Sequence, residues 1–446
     1  MFVRRSAAVP AAVRDPRRAA TPATRPTTRQ TAGQATRQAA VSVAVLAASA
    51  LAGTVFAPAA LADTSPSPSA SPALPSGLYG TADPAYDGVW RQSLALFAQH
   101  TVGLRPAAKA VDWLTGQQCA NGAFAPYRAD ATAKCDAETL IDTNSTAAAV
   151  QALAALGGHD AETGKAVAWL KSAQNKDGGW GYVAGGASDA NSTSVVIGAL
   201  TAVGEKPADV TAGSGDSPYD ALAGLSIPCD ADGGGAFAYQ PDKKGKLAAN
   251  ADATAAAVTG ALGKGFAGAE AKPAGAGAAC ESVAADPRRA AHNGAAYLVT
   301  ALAKDKYLKS ALAGAEDQPD YGNTADAVVA LATAGRADDA AGAVRWLESH
   351  SAKWAAQSGP AAYAQLILAA EASGADPRDF GGQDLVRQLG ATGPAAGTAS
   401  AAPAESDKAD DSDDGGLSVW WIVGVGLVAG IGIGFLISGR DKRRQL

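Results

Sequence analysis

The chain has 446 residues, enough for two or three domains, with 51 Gly, 23 Pro, 18% charged and only 6% aromatic residues. Its 47% hydrophobic fraction excludes wholesale disorder, and because much of that fraction is Ala, any core must be close-packed from small side chains. The formal charge of −6 divides unevenly: residues 1–62 carry eight Arg against one Asp, a balance of +7 that leaves −13 from Asp63 onward, too acidic for a nucleic-acid partner whose affinity comes from Lys and Arg neutralising phosphates.

Residues 1–62 are predicted to be an export signal. An Arg-rich stretch leads into the apolar run Val41 to Leu61, which ends in Ala60-Leu61-Ala62, a small-x-small cleavage pattern before Asp63. Arg4-Arg5 stands too far ahead of that run to make a twin-Arg signal. Residues 63–83, rich in Ser and Pro, are predicted to be a linker.

Residues 84–390 repeat. One unit reads Trp113-Leu114, then Gln118, Gly122 and Phe124, and later Asp142, Asn144-Ser145-Thr146, Val150 and Leu153. The next keeps the same offsets with Trp169-Leu170, Gln174, Gly178 and Trp180, then Asp189, Asn191-Ser192-Thr193, Ile197 and Leu200. Looser copies follow around Asp232-Gly233-Gly234 with Asp252 and Thr254, around Tyr297-Leu298 with Asp320 and Asn323-Thr324, and around Trp346-Leu347 with Tyr363 and Leu366.

Each unit predicts two helices. The first has an apolar stripe on one face, as in Ala166, Val167, Trp169 and Leu170, and is followed by a Gly-rich turn. The second opens with Asp, Asn, Ser or Thr, which cap free backbone N–H groups, and then runs Ala, Val and Leu on nearly every face. A helix apolar all round is buried on both sides, whereas one apolar on a single side forms an outer wall. The alternation predicts a helical barrel. Six inner helices should start near Gly88, Thr143, Asn191, Ala251, Gly322 and Pro360, and six outer ones near Pro106, Ala161, Ser217, Pro287, Ala337 and Gly382. An open solenoid would use the same pairs without closing.

Beyond the repeats, residues 391–416 are predicted to be a solvated stalk that turns acidic at Glu405, Asp407, Asp410, Asp411, Asp413 and Asp414. Residues 417–439 follow as a transmembrane helix. Val419 to Ile437 is uncharged, opens with Trp420-Trp421, and at about 1.5 Å per residue spans roughly 28 Å. The basic tail 440–446 suits a cytoplasmic face. Gly426, Gly430 and Gly434 have the small-xxx-small spacing of paired membrane helices. The expected arrangement is an exported, extracellular domain anchored in the cell membrane.

The four cysteines, Cys119, Cys135, Cys229 and Cys280, fall in the exported part. An even count there favours two disulfides, and Cys119–Cys135 with Cys229–Cys280 is the preferred pairing because each pair brackets one irregular segment. A zinc site is the alternative, although no CxxC pair exists.

Gln174-x-x-x-Gly178-x-Trp180, its variant Gln118-x-x-x-Gly122-x-Phe124, and the Asp-x-x-Ser-Thr-Ala helix openings resemble the prenyltransferase and squalene oxidase repeat. The resemblance implies an all-α, six-plus-six α/α toroid, as in terpenoid cyclases and protein prenyltransferase β-subunits. Cobalamin carriers share that toroid.

The chemistry of those families is poorly represented. Squalene cyclases carry a DxDD acid ahead of Thr-Ala. The matching stretch here is Asn250-Ala251-Asp252-Ala253-Thr254-Ala255, which keeps only Asp252, a weak catalytic candidate equally explained as a helix cap. Asp411-Ser412-Asp413-Asp414 lies in the stalk. The zinc of protein prenyltransferases needs Asp, Cys and His, but His100, His159, His292 and His350 are scattered and no metal site is expected. No GxSxG, HExxH or P-loop occurs. Asn144-Ser-Thr146 and Asn191-Ser-Thr193 are formal glycosylation sequons at helix starts, where capping explains them better.

These features predict a membrane-anchored ligand-binding toroid without a proton-donating acid in its hollow. The expected lining is Phe124, Tyr127, Trp180, Tyr182, Asp189, Asn191, Phe237 and Tyr239, around an amphiphilic ligand with an anionic part. The cofactor is unknown. The resemblance to cobalamin carriers suggests a corrinoid, passed on to a transporter or other envelope partner. Two alternatives are a divergent cyclase-like or lyase-like enzyme acting on a lipid or envelope polymer, and a docking platform for an envelope protein.

Overall fold

The structure, a computed structural model, describes residues 74–269, 271–272, 280–281, 286–311 and 315–398. The expected signal at 1–62, most of the acidic stalk, the expected span at 417–439 and the tail at 440–446 lie outside the described residues. Among the described residues no helix is long and apolar enough to cross a membrane.

Twelve α-helices are present among the described residues: α1 (Gly88–Thr101), α2 (Ala108–Gly116), α3 (Thr143–Leu156), α4 (Asp160–Ser172), α5 (Ala190–Ala202), α6 (Pro218–Gly224), α7 (Ala251–Ala261), α8 (Pro287–Leu302), α9 (Tyr321–Thr333), α10 (Ala337–Ser358), α11 (Pro360–Ser373) and α12 (Leu385–Ala391). The odd-numbered helices are the Ala-rich ones. Each packs against the next, and α11 packs back onto α1. The even-numbered helices lean on their odd partners from outside. The ring is closed, which excludes the open solenoid, and the fold is the expected six-plus-six α/α toroid.

Repeated local contacts explain the repeated residues. Asp142, Asp189, Asn250 and Asp320 cap α3, α5, α7 and α9, each accepting the N–H three residues on. One residue further, a buried Thr reaches outward to the preceding Gly-rich loop. Thr146, Thr193, Thr254 and Thr324 accept the backbone N–H of Phe124, Trp180, Phe237 and Leu308 at 2.9–3.1 Å. The motif glutamines clamp the same loops. Gln174 Nε2 donates to Gly178 O (2.8 Å) and Val210 O (3.1 Å), and Gln118 Nε2 donates to Gly122 O (3.0 Å) and Glu162 O (2.8 Å). The motif glycine must be glycine: Gly178 has φ +83°, and a Cβ there would lie 2.2 Å from Ser217 O.

The ends of the ring are stitched together by residues on both sides of 84–390. Tyr79 is fully buried, and its hydroxyl donates to Pro394 O at 2.8 Å. The buried Arg91 donates from Nε to Tyr79 O at 3.0 Å. Strand β1 (Leu104–Arg105) pairs antiparallel with Gly397–Thr398, which is β4 in chain order. β2 (Leu308–Lys309) pairs with β3 (Pro319–Asp320) just before α9. The folded unit therefore takes in the end of the expected linker and the start of the expected stalk. Both preferred disulfides, Cys119–Cys135 and Cys229–Cys280, are formed, each with a Cα–Cα distance of 5.6 Å, and no cysteine is free.

Candidate functional site

Closing the six inner helices leaves a central cavity of about 330 Å³. Its floor is the segment after α7. Phe266 inserts between Trp90 (ring centroids 5.5 Å apart) and Phe97 (5.9 Å) on α1, and its N–H donates to Gln151 Oε1 on α3 at 3.0 Å. Ala269 N–H then reaches Thr333 Oγ1, at the end of α9, at 3.3 Å. The segment thus runs across the lumen from α7. A Cβ on Gly265 would lie 2.1 Å from Gln151 Oε1, so a larger residue here would displace that side chain from the Phe266 N–H.

Polar side chains enter the cavity from the helix starts. With the capping residue fixed by its own hydrogen bond, the residue two places later faces the lumen, so Asn144, Asn191 and Asp252 line it from α3, α5 and α7. Neither Asp252 nor the two sequon asparagines cap their helices, contrary to the sequence-based expectation: Asn250, Asp142 and Asp189 do. Asp326, from the second turn of α9, joins them in the lining with Gln365 from α11.

The two carboxyls are held in matching ways. Asn191 Nδ2 donates to Asp252 Oδ2 at 3.0 Å, and Gln365 Nε2 donates to Asp326 Oδ2 at 3.1 Å and Oδ1 at 3.3 Å. Across four consecutive inner helices the order is amide, acid, acid, amide. Asp326 keeps some surface open to the cavity but is enclosed by the ring. Burial, with the charge of Asp252 added, pushes its carboxyl up to about 7, against the pull of the Gln365 hydrogen bond. Burial also raises Asp252; the Asn191 hydrogen bond opposes the rise, and Asp320 and Asp189 add to it. An acid pair at the centre of the ring overturns the expectation of a hollow without one.

The remaining expected lining residues go elsewhere. Phe124, Trp180 and Phe237 are fully buried in the wall between the helix layers, where Trp180 Nε1 donates to Leu170 O at 2.7 Å. Tyr127 stacks on Trp113. Asp189 is a buried cap. Tyr182 and Tyr239 are nearly half exposed at the helix-start end of the ring: their carbonyls accept the N–H groups of Thr143 and Ala190, the first residues of α3 and α5. Of the eight, Asn191 lines the cavity. Asp326 and Gln365 were missed, and their signal was the one charged residue of α9 and the one amide of α11 within largely apolar helices. Among the described residues no group of three or more His, Cys, Asp or Glu is arranged to hold a metal ion.

The sequence matches no protein-family model and no curated protein. Among solved structures the chain is similar to ent-copalyl diphosphate synthase from Streptomyces platensis, with 17% identity and a TM-score of 0.43 over 64% of this chain and 50% of that one. It is also similar to the type II terpene cyclase MstE from Scytonema, with 15% identity and a TM-score of 0.40 over 61% and 72%. A protein from Actinoplanes has 16% identity and a TM-score of 0.30 over 63% and 99%. The chain thus spans half the length of the first of these, and none of the three carries a conclusion about its chemistry.

Proposed function

We propose that the protein is a ligand-binding toroid, exported and anchored in the cell membrane by residues 417–439, that holds a small polar ligand in its central cavity. The observation that carries this is the unsatisfied polar lining of a closed ring. Asn144, Asn191 and Ser194 line the cavity, and their Oδ1, Oδ1 and Oγ atoms are buried without a hydrogen-bond partner. A buried polar atom left unpaired costs about 1–3 kcal/mol, which a bound ligand toward which these side chains turn would recover. At about 330 Å³ the cavity suits a ligand far smaller than a corrinoid. Two carboxyls in its wall disfavour an anionic ligand group. The disulfides fit an oxidising compartment outside the cytoplasm.

A second reading, catalysis, is favoured by the Asp252–Asp326 pair, since a carboxyl poised near neutral pH suits proton exchange with oxygen or nitrogen. It does not suit the protonation of an alkene, which demands a far stronger acid. Native mass spectrometry of the full chain, purified from its own membranes, separates the two. A bound small molecule recovered unchanged in mass supports binding, and a molecule converted to a product of different mass supports catalysis. An empty ring overturns ligand binding. Carbonate extraction tests the anchor: the full chain should stay with the membrane, and a chain ending at Thr398 should be released.

A further inference from the structure

The cavity wall is unbalanced between donors and acceptors. An amide beside a carboxylate presents its N–H₂, so the contact to Asp252 leaves Asn191 Oδ1 as an acceptor, and that buried oxygen has no partner. Gln365 spends its donor on Asp326 in the same way. Asn144 Oδ1 is a further free acceptor. Ser194, only 6% exposed, lines the cavity, and its unpaired Oγ is buried against Gly260, where a Cβ would lie 2.6 Å from that oxygen.

Charge is unbalanced too. Asp252 and Asp326 make no ion pair among the described residues, and Lys264, on the floor of the cavity, shifts neither of them. Across the ring from Asp252 the wall is apolar and aromatic, with Trp90 and Leu94 on α1 and Phe266 on the floor. Uncompensated acids flanked by amides, with aromatic faces across the ring from Asp252, form a receptor for a donor-rich cation on a compact carbon skeleton. Among the described residues only two carboxyls meet here, fewer than the three His, Cys, Asp or Glu that would mark a metal site.

We infer that the central cavity takes a small organic ammonium, its N–H groups hydrogen-bonded to Asp252 and Asp326 and its carbon skeleton packed against Trp90, Leu94 and Phe266. This rests on the ligand-binding reading and narrows it to a class. Two carboxylates and one ammonium satisfy one another better than two carboxylates alone, so the arriving cation displaces the proton that Asp326 carries near neutral pH, and that proton leaves to solvent. Binding therefore releases up to one proton for each ammonium taken up.

Three probes of one skeleton test this: cyclohexylmethylamine, cyclohexylmethanol and cyclohexanecarboxylate, titrated calorimetrically into the full chain at pH 7 in two buffers of different ionisation enthalpy. The amine should bind at least about tenfold tighter than the alcohol, the carboxylate should not bind, and the amine heat should differ between buffers by the release of a fraction of a proton. Asp252→Asn and Asp326→Asn should each lose about tenfold in amine affinity while alcohol affinity stays, which also shows that the variants are folded. An alcohol that binds as tightly as the amine, or a preferred carboxylate, overturns the ammonium assignment and leaves a ligand-binding ring standing. If none of the three binds, the assignment falls; the ring itself falls only if native mass spectrometry also finds it empty.

Discussion

Asn191 Nδ2 donates to Asp252 Oδ2 at 3.0 Å, joining α5 to α7 at the start of both helices, although 61 residues separate the two side chains. The contact converts a residue that resembles a remnant catalytic acid, or a cap, into one wall of a cavity. On the other side of the pair, Gln365 does the same for Asp326.

Because Asp326 titrates near 7 in the folded ring and near 3.8 unfolded, the folded state binds more protons between those values. Its raised carboxyl therefore favours the native state at low pH, and that advantage is lost as pH rises from about 4 to about 7. Asp326→Asn removes the cost. At pH 8 the variant should be more stable than the parent by at most about 4 kcal/mol, reduced by the water that reaches the cavity, and near pH 4 the two should be equal. Urea denaturation at the two pH values measures this. Equal stability at pH 8 would show that folding does not raise the Asp326 carboxyl.

Two glycines of neighbouring turns separate strain from crowding. Gly178 and Gly185 both have positive φ, +83° and +78°, but a Cβ on Gly178 would press 2.2 Å from Ser217 O whereas Gly185 faces open space. Gly185→Ala should cost about 1 kcal/mol from backbone conformation alone. Gly178→Ala should cost about 3 kcal/mol or more, because the loop must leave its outer helix. Thermal denaturation of the two variants side by side gives the comparison.

Thr193→Val keeps the shape of the side chain and removes the acceptor of Trp180 N–H, a buried contact of 3.1 Å. The orphaned donor should destabilise the ring by about 1–3 kcal/mol. Hydrogen exchange should locate the loss at Trp180, which exchanges faster in the variant while amides on the far side of the ring, such as those of α9, keep their protection.

The disulfides close loops of different length, with sequence separations of 16 and 51. On chain-entropy grounds, replacing Cys119 and Cys135 by Ser should cost about 3 kcal/mol and replacing Cys229 and Cys280 about 4 kcal/mol. Chemical denaturation of the two double variants checks the order. A larger loss from the shorter loop would show that native packing around Cys119 matters more than the entropy of the open chain.

Much of the ring is local and so is legible in the residues. The period of Ala, Val and Leu, the Asp caps and the Gly turns act over a few positions, and they place all twelve helix starts within three residues of those found. The pairing of Cys119 with Cys135 and Cys229 with Cys280 followed from the same local bracketing. The aromatic residues misled, because the turn that seemed to present Trp180 and Phe237 to a ligand instead folds them between the helix layers, where their large apolar surfaces leave water.

By itself, the sequence determined that Ala-rich helices alternate with half-polar ones and where each begins, because these depend on spacing along a short stretch of chain. Only the tertiary structure decided that the sixth pair meets the first and that Asp252 and Asp326 share one hollow. Both depend on small rotations accumulated over six helix pairs, and a carboxyl's neighbours across a ring leave no mark on the residues beside it in the chain.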